Sequence, residues 1–217
     1  MTIRVYHTQF SAPLPDAQWR RLFEPLPPAI QEQINRYKRW QDQTACLLGK
    51  RLLLSALIDA GFSEQCLSDL QYTQYNRPYL DGPGDFNLSH SGEIVVCAIS
   101  DSSRLGVDVE FNRSIEFQDF QQYMSPTEWH DINAAHQPLE RFYHYWTAKE
   151  SVIKADGRGL SAPLEEVIIK PPLAMLSETT WRLHPLKIAK AHTCHLATDD
   201  CDQQICLLPL DFNNMSC

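Results

Sequence analysis

The 217-residue sequence contains no apolar run of about 18 residues, the length that a helix needs to cross a membrane. Its opening stretch, MTIRVYHTQF, also lacks the basic, apolar and small-residue regions of a secretory signal. The seven cysteines form no C-x-x-C pair, and their odd, scattered set is typical of reduced thiols rather than of a disulfide framework. We therefore expect a cytoplasmic protein that does not cross a membrane.

Positive charge is scarce, because 19 lysine and arginine residues stand against 27 aspartate and glutamate residues, for a net charge of −8. This balance argues against a general nucleic-acid-binding protein. Basic residues are denser between positions 20 and 51, which is compatible with a solvated helix surface or with a patch that faces an anion. The hydrophobic fraction of 43% and the charged fraction of 21% are ordinary for a globular protein with a substantial core.

Hydrophobic periodicity predicts an α+β fold. Residues Ser125 to Glu128 match a capping box at the start of a helix. The predicted helices are 28–40, 42–60, 115–123, 125–135 and 138–155, and the predicted strands are 2–7, 86–89, 94–99, 105–111, 165–170, 180–188 and 193–209. A helix-rich and then strand-rich order occurs twice, which predicts two similar α+β halves, residues 1–105 and 106–217.

Two carboxylates lie at alternate positions of the predicted strand Gly106-Val107-Asp108-Val109-Glu110. Alternate side chains of a strand share one face, so Asp108 and Glu110 lie side by side while the two valines face the opposite way. Adjacent acids repel each other unless a cation lies between them, and oxygen ligands of this kind suit Mg²⁺. The other interpretation is an exposed strand face with ordinary acids.

A second group of charged residues lies on the predicted helix that runs from Trp146 to Lys154. Trp146, Glu150 and Lys154 occur at helical spacing and form one stripe, and Lys149 borders it. Glu150 and Lys154 are compatible with a simple surface ion pair. Alternatively, Glu150 is a third metal ligand and the lysines compensate the charge of a bound pyrophosphate.

Five motifs, taken in their order along the chain, resemble the signature of the Sfp-type 4′-phosphopantetheinyl transferase family. They are Asn76-Arg77-Pro78-Tyr79-Leu80, Phe86-Asn87-Leu88-Ser89-His90-Ser91, the Gly106 to Glu110 strand, the W-x-x-K-E-x-x-x-K helix from Trp146 to Lys154, and Gly157-Arg158-Gly159-Leu160 followed by Pro163. Each motif alone is a weak signal, but five in the same order are a strong one. The resemblance covers residues 46–163, about half of the chain, and the two ends match by general pattern.

The resemblance implies transfer of the 4′-phosphopantetheine arm from coenzyme A to a serine of an acyl or peptidyl carrier protein, with release of adenosine 3′,5′-bisphosphate. It also implies two α+β halves related by pseudo-twofold symmetry, with coenzyme A in the cleft between them. Mg²⁺ is the implied cofactor, and the family includes monomers of about this length. Whether the acceptor serves fatty-acid, polyketide or peptide synthesis is left open.

The resemblance also implies roles for individual residues. The implied Mg²⁺ ligands are Asp108, Glu110 and Glu150. The implied contacts to the nucleotide and its phosphates are Arg51, Arg77, Ser89, His90, Lys149 and Lys154, of which Lys154 also counts as catalytic. Glu128 matches an acid that helps to activate the acceptor serine in some members, and Glu150 is the other candidate base.

Two other functions are compatible with the acids. One is a Mg²⁺-dependent nucleotide phosphohydrolase, which would turn over nucleotide without a carrier protein. The other is a non-catalytic coenzyme A or carrier-binding module, which we would expect to have lost one of the three acids. For the carrier protein we expect a partly apolar docking surface between Phe111 and Trp129, although its aromatic residues are equally compatible with a core role.

Overall fold

The structure, a computed structural model, describes residues 2–82, 84–200 and 203–212. The first part of the chain supplies six strands and three α-helices, with a 3₁₀ helix at Cys66–Asp69. In chain order these are β1 (Thr2–Gln9), α1 (Asp16–Phe23), α2 (Pro28–Asn35), α3 (Trp40–Asp59), β2 (Gln71–Tyr72), β3 (Pro78–Tyr79), β4 (Asp85–Ser91), β5 (Ile94–Ser100) and β6 (Leu105–Phe111).

The rest of the described chain is a helical segment followed by strands. It consists of a 3₁₀ helix at Phe117–Tyr123, α4 (Pro126–Ala134), α5 (Pro138–Asp156), short 3₁₀ helices at Gly159–Ser161 and Leu164–Glu166, β7 (Ile168–Lys170), β8 (Leu173–Leu176), β9 (Thr179–Leu186), β10 (His192–Thr198) and β11 (Gln204–Pro209). The predicted capping box is confirmed: Ser125 accepts from the Glu128 backbone, and the Glu128 side chain accepts from the Ser125 backbone. Helix α5 ends at Asp156 and is followed by Gly157, whose positive φ of 89° suits glycine.

The strands form two larger sheets and a small ribbon. The first sheet has the order β11-β1-β5-β4, the second has the order β6-β10-β9-β8-β7, and β2 pairs with β3. Strands β1 and β11 are parallel, whereas the other pairs are antiparallel. The last described strand therefore completes the first sheet.

The two sheets stack between two long helices. Helix α3 packs on the outer face of the first sheet, and α5 packs on the outer face of the second. The inner faces share a buried cluster that includes Val96 and Ala98 of β5 and Val107 and Val109 of β6. Strand β5 is buried at every position because both of its faces are covered, which explains its uninterrupted apolar sequence.

The predicted α+β class is confirmed, and most of the long elements are found close to their predicted bounds. Residues 117–123 were predicted as part of an α-helix and form a 3₁₀ helix instead, and residues 193–209 form two strands in different sheets rather than one. The division into halves at residue 105 stays a prediction, and β11 crosses from the second half to the first sheet. Among the described helices, none combines the length and apolar character that crossing a membrane requires.

Candidate active site

Strand β6 presents its two acids to helix α5. Val107 and Val109 are buried between the sheets, so the alternate residues Asp108 and Glu110 face the opposite way. Gly106 allows close contact on that side, because a Cβ atom there would overlap backbone atoms of α5. The glycine of the G-V-D-V-E motif therefore lets the helix lie directly on the strand that carries the acids.

Helix α5 adds an acid and a lysine to the same place. Glu150 and Lys154 line a cavity of about 340 Å³ together with both acids of β6. The other lining residues are Leu88, Ser89, His90 and Trp146. The structure thus brings together six of the residues implied by the resemblance: Ser89, His90, Asp108, Glu110, Glu150 and Lys154.

Lys154 and Ser89 are both bound to Asp108. The Lys154 ammonium donates to Asp108 Oδ1 at 2.7 Å and to Ser89 Oγ at 2.9 Å. The Ser89 hydroxyl donates to the same Asp108 oxygen at 3.0 Å and accepts from the backbone N–H of Val109 at 3.2 Å. Ser89 was predicted as a nucleotide contact, and the structure places its hydroxyl against a carboxylate and a lysine.

The remaining acids of the cavity repel one another. Burial raises the pKa of Glu150 to about 6, and the nearby charges of Asp108 and Glu110 act in the same direction while Lys154 opposes them. Burial also raises the pKa of Glu110, against a hydrogen bond from Ser91 that lowers it. Such clustering of carboxylates disfavours the free anions and favours a bound cation.

The donor chemistry of this site, more than its present geometry, fits the implied Mg²⁺. As they stand, no three His, Cys, Asp or Glu residues in the described ranges are arranged tightly enough to hold a metal ion. Asp108 Oδ1 is bound to Lys154, but Asp108 Oδ2 is buried and has no hydrogen-bond partner. Three carboxylates with an unsatisfied buried oxygen suit a hard divalent cation, so Asp108, Glu110 and Glu150 would hold it.

Two predicted site residues form a separate buried ion pair. The Lys149 ammonium lies 3.0 Å from Glu128 Oε2 and donates to the carbonyl oxygen of Val167 at 2.5 Å. Glu128 also accepts from the backbone N–H of Ile169 at 3.3 Å. Neither Lys149 nor Glu128 lines the cavity that holds the acids, since both side chains are bound next to β7, and the roles predicted for them stay predictions.

The two predicted arginine contacts also lie outside the acid cavity. Arg77 forms an ion pair of 2.6 Å with Asp85 and donates to the carbonyl oxygen of Leu105 at 2.9 Å, so it ties β3 to β4 and β6. Arg51 is half-buried on α3 near Arg21, and burial lowers its pKa. Neither of these arginines lines the cavity that holds the acids.

A larger cavity of about 890 Å³ adjoins the acids and shares His90 with their cavity. The chain before β6 contributes Arg39 to Asp42 and Ser91 to Glu93, and the chain from β6 onward contributes Phe111, Arg113 and Ile188 to His192. Polar and apolar residues line this cleft in similar measure, and basic residues lie on both sides of it.

Ser91 belongs to the site but was not predicted to have a role. Its hydroxyl donates to Glu110 Oε2 at 2.7 Å. The signal was present in the sequence, because polar side chains occupy alternate positions of the strand from Asp85 to Ser91. The sequence does not show which strand lies beside this face, so the alternation indicates a polar face but not the contact between Ser91 and Glu110.

Comparisons with known proteins cover both parts of the chain. Residues 13–102 match the N-terminal region of 4′-phosphopantetheinyl transferases, and residues 104–205 match the 4′-phosphopantetheinyl transferase superfamily. A 4′-phosphopantetheinyl transferase of Bacillus subtilis is 31% identical over 172 residues, which cover 77% of this chain and 76% of that protein.

Two further relatives agree with this assignment. The 4′-phosphopantetheinyl transferase Sfp of Bacillus subtilis strain 168 is 30% identical over 174 residues, with the same two coverages of 77% and 76%. The L-aminoadipate-semialdehyde dehydrogenase-phosphopantetheinyl transferase of Schizosaccharomyces pombe is 32% identical over 170 residues, 67% of this chain and 65% of that protein. With the motifs and the cluster of acids, these similarities disfavour the phosphohydrolase and binding-module alternatives. The chain belongs to the 4′-phosphopantetheinyl transferase superfamily, as an enzyme of that transferase class.

Proposed function

We propose that the protein transfers the 4′-phosphopantetheine arm of coenzyme A to a serine hydroxyl of an apo carrier protein. The observation that carries this proposal is the convergence of three carboxylates and Lys154 in one cavity at the edge of the cleft. The reaction needs a site for a pyrophosphate and its counter-cation, which is what these groups can provide.

In the proposed reaction the serine oxygen forms a bond to the β-phosphorus of coenzyme A. The bond from that phosphorus to the bridging oxygen breaks, and adenosine 3′,5′-bisphosphate leaves with the electron pair. Bound Mg²⁺ would neutralise the pyrophosphate and stabilise the leaving group. The protein's own contribution is positioning and charge: Lys154 lies beside Asp108 in the cavity, where it can also contact a phosphate oxygen.

Glu150 is the proposed acceptor of the serine proton. It lines the cavity beside Asp108 and Lys154, where a carboxylate can accept the proton directly or through a water molecule. Glu128 is not suited to this role because it is 4% exposed and is engaged by Lys149 and two backbone N–H groups.

The larger cleft is the proposed place for the rest of coenzyme A and for the approach of the carrier protein. His90 joins the two cavities, and Arg39, Arg113 and Lys190 lie along the cleft, so local positive charge is present despite the net charge of −8. Of the predicted docking segment, Phe117 and Phe120 pack against Phe142 and therefore belong to a core cluster. We further propose that the enzyme acts as a monomer in the cytoplasm. The five described cysteines are free thiols, which is compatible with a reducing compartment.

The acids can be tested by conservative substitution. In Asp108→Asn and Glu150→Gln the carboxylate charge is lost and the size is kept, so we expect transfer to fall by about 10²–10⁴-fold for Glu150→Gln and by at least as much for Asp108→Asn. Intact mass spectrometry of an apo carrier protein, incubated with coenzyme A and Mg²⁺, measures the added arm. Glu140→Gln, on an exposed face of the same helix, is the control and should behave like the wild type.

Near-normal transfer by either cavity variant would contradict the assignment of the acids. Release of adenosine 3′,5′-bisphosphate from coenzyme A without any carrier protein would instead support a phosphohydrolase. Assays on several apo carrier proteins from fatty-acid, polyketide and peptide synthesis would identify the natural acceptor.

A further inference from the structure

The two sheets are joined at β4 and β6 by a ladder of side-chain to backbone hydrogen bonds. Four alternate residues of β4 each accept from the backbone N–H of a residue on β6. The rungs are Asp85 Oδ2 to Leu105 at 2.9 Å, Asn87 Oδ1 to Val107 at 3.0 Å, Ser89 Oγ to Val109 at 3.2 Å and Ser91 Oγ to Phe111 at 3.1 Å. Strand β6 is an edge strand of the second sheet, and the β4 side chains accept the backbone N–H bonds that a neighbouring strand would otherwise accept.

Two of the four rungs have a second function. Their serine hydroxyls also carry a proton, and it is donated to the acids of β6: Ser89 donates to Asp108 and Ser91 donates to Glu110. The other two rungs, at Asp85 and Asn87, do not contact those acids. The ladder therefore fixes the position of the strand, and its serine rungs also fix the direction of the carboxylates.

The Ser91 rung differs from the Ser89 rung in one respect. Asp108 has a second partner in Lys154, whereas Ser91 is the one hydrogen-bond donor to the Glu110 carboxylate within the described ranges. Ser91 itself is well held, because its oxygen accepts from Phe111 and its carbonyl accepts from His192 Nε2 at 3.1 Å.

We propose that Ser91 is a positioning residue, which holds the Glu110 carboxylate in the orientation that binds the divalent cation. This inference rests on the proposed function, because it assumes that Glu110 is a ligand of that cation. A half-buried glutamate near the end of a strand has several accessible rotamers, and a hydrogen bond from a fixed hydroxyl selects among them. Donors that orient a ligating carboxylate typically change metal affinity by about 10–100-fold when they are removed.

The test is direct metal binding, measured with Mn²⁺ alone as the probe. Electron paramagnetic resonance reports free Mn²⁺ in a titration of the full chain without coenzyme A, so the readout does not depend on activity. We expect Ser91→Ala to bind Mn²⁺ about 10–100-fold more weakly than the wild type, and Ser91→Thr to recover most of the affinity because it keeps the hydroxyl.

Asn87→Ala is the matched control. It also breaks one rung of the ladder, between β4 and Val107, but it leaves both acids with their donors. We expect it to lower the midpoint of thermal unfolding while its Mn²⁺ affinity stays within about twofold of the wild type. If Ser91→Ala does not fold, Ser91→Cys keeps a similar volume with a weak donor and is expected to show the same direction of change.

Two results would overturn the inference: Ser91→Ala that binds Mn²⁺ as tightly as the wild type, or Asn87→Ala that loses as much affinity as Ser91→Ala. The second result would mean that strand position alone matters. A different result would contradict the proposed function itself. If Asp108→Asn binds Mn²⁺ as tightly as the wild type, the acids are not the metal site.

Discussion

Lys149 and Lys154 show how two lysines of one helix serve different purposes. Lys154 is partly exposed in the acid cavity, whereas Lys149 is fully buried and paired with Glu128. The buried pair joins α5 to α4 and, through Val167 and Ile169, to β7. A buried charge of this kind is tolerated because every partner is in place.

Lys149→Met is therefore expected to lower the free energy of unfolding by about 3–5 kcal/mol, because Glu128 would remain buried without its counter-charge. Arg141→Ala is the control, since it breaks the exposed pair between Arg141 and Asp131, which also joins α5 to α4. That loss should be about 0–1 kcal/mol. Urea unfolding followed by circular dichroism measures both, and equal losses would contradict the role given to the buried pair.

His195 is a buried neutral histidine behind the active site. It is 1% exposed on β10, lies opposite Asp108 of β6 and faces Thr147 and His144 of α5. Thr147 donates its hydroxyl proton to the carbonyl oxygen of Tyr143, so His195 Nδ1 is the donor in its 2.7 Å contact with Thr147. Burial lowers the pKa of His195 to about 3, and His144 contributes in the same direction.

The depressed pKa of His195 predicts acid sensitivity. Between about pH 6.5 and pH 3 the unfolded chain binds a proton at this histidine and the folded chain does not. Stability from this group is present above pH 6.5 and falls by about 1.4 kcal/mol per pH unit on acidification. His195→Asn, which keeps an N–H donor, should unfold with a shallower pH dependence, and exposed His136→Asn should not. Parallel curves for His195→Asn and the wild type would contradict this account.

At the scale of elements, the contact between α5 and β6 depends on Gly106. A Cβ atom at this position would overlap backbone atoms of Ser151 and Ala155, which a rotamer change cannot relieve. Gly49 of α3 is a contrast, because a Cβ atom there would meet Leu88 and Val95 at ordinary distances of 3.5 and 3.6 Å.

Gly106→Ala should therefore destabilise the protein by about 1–3 kcal/mol and weaken divalent-metal binding, since α5 must move away from the acids of β6. Gly49→Ala should raise stability by up to about 1 kcal/mol, because alanine favours a helix interior and space is available. Thermal unfolding of both variants, with Mn²⁺ titration of Gly106→Ala, checks the pair of expectations. A Gly106→Ala protein of wild-type stability would show that the helix packs less closely than described.

Across the whole molecule, local patterns predicted the elements better than their contacts. The long helices and the central strands could be predicted from hydrophobic periodicity. The grouping of the acids at 108, 110 and 150 could be predicted from the motifs and their spacing. Short elements such as β2, β3 and β8 are too brief to produce a pattern. The positions of Glu128 and Lys149 outside the acid cavity could not be predicted, because a motif states residue type and order but not which flank of a helix faces the cavity.

The parallel pairing of β1 with β11 has a consequence for the order in which the molecule is made. Thr2 pairs with Gln204 and Tyr6 with Leu208, so β1 cannot form this pairing until β2 to β10 have also been synthesised. Until then one edge of β1 has open backbone groups, a site at which a nascent chain can pair with another. Closing so long a loop is entropically costly and slow, and the first sheet is completed only after all described strands of the second sheet have been made.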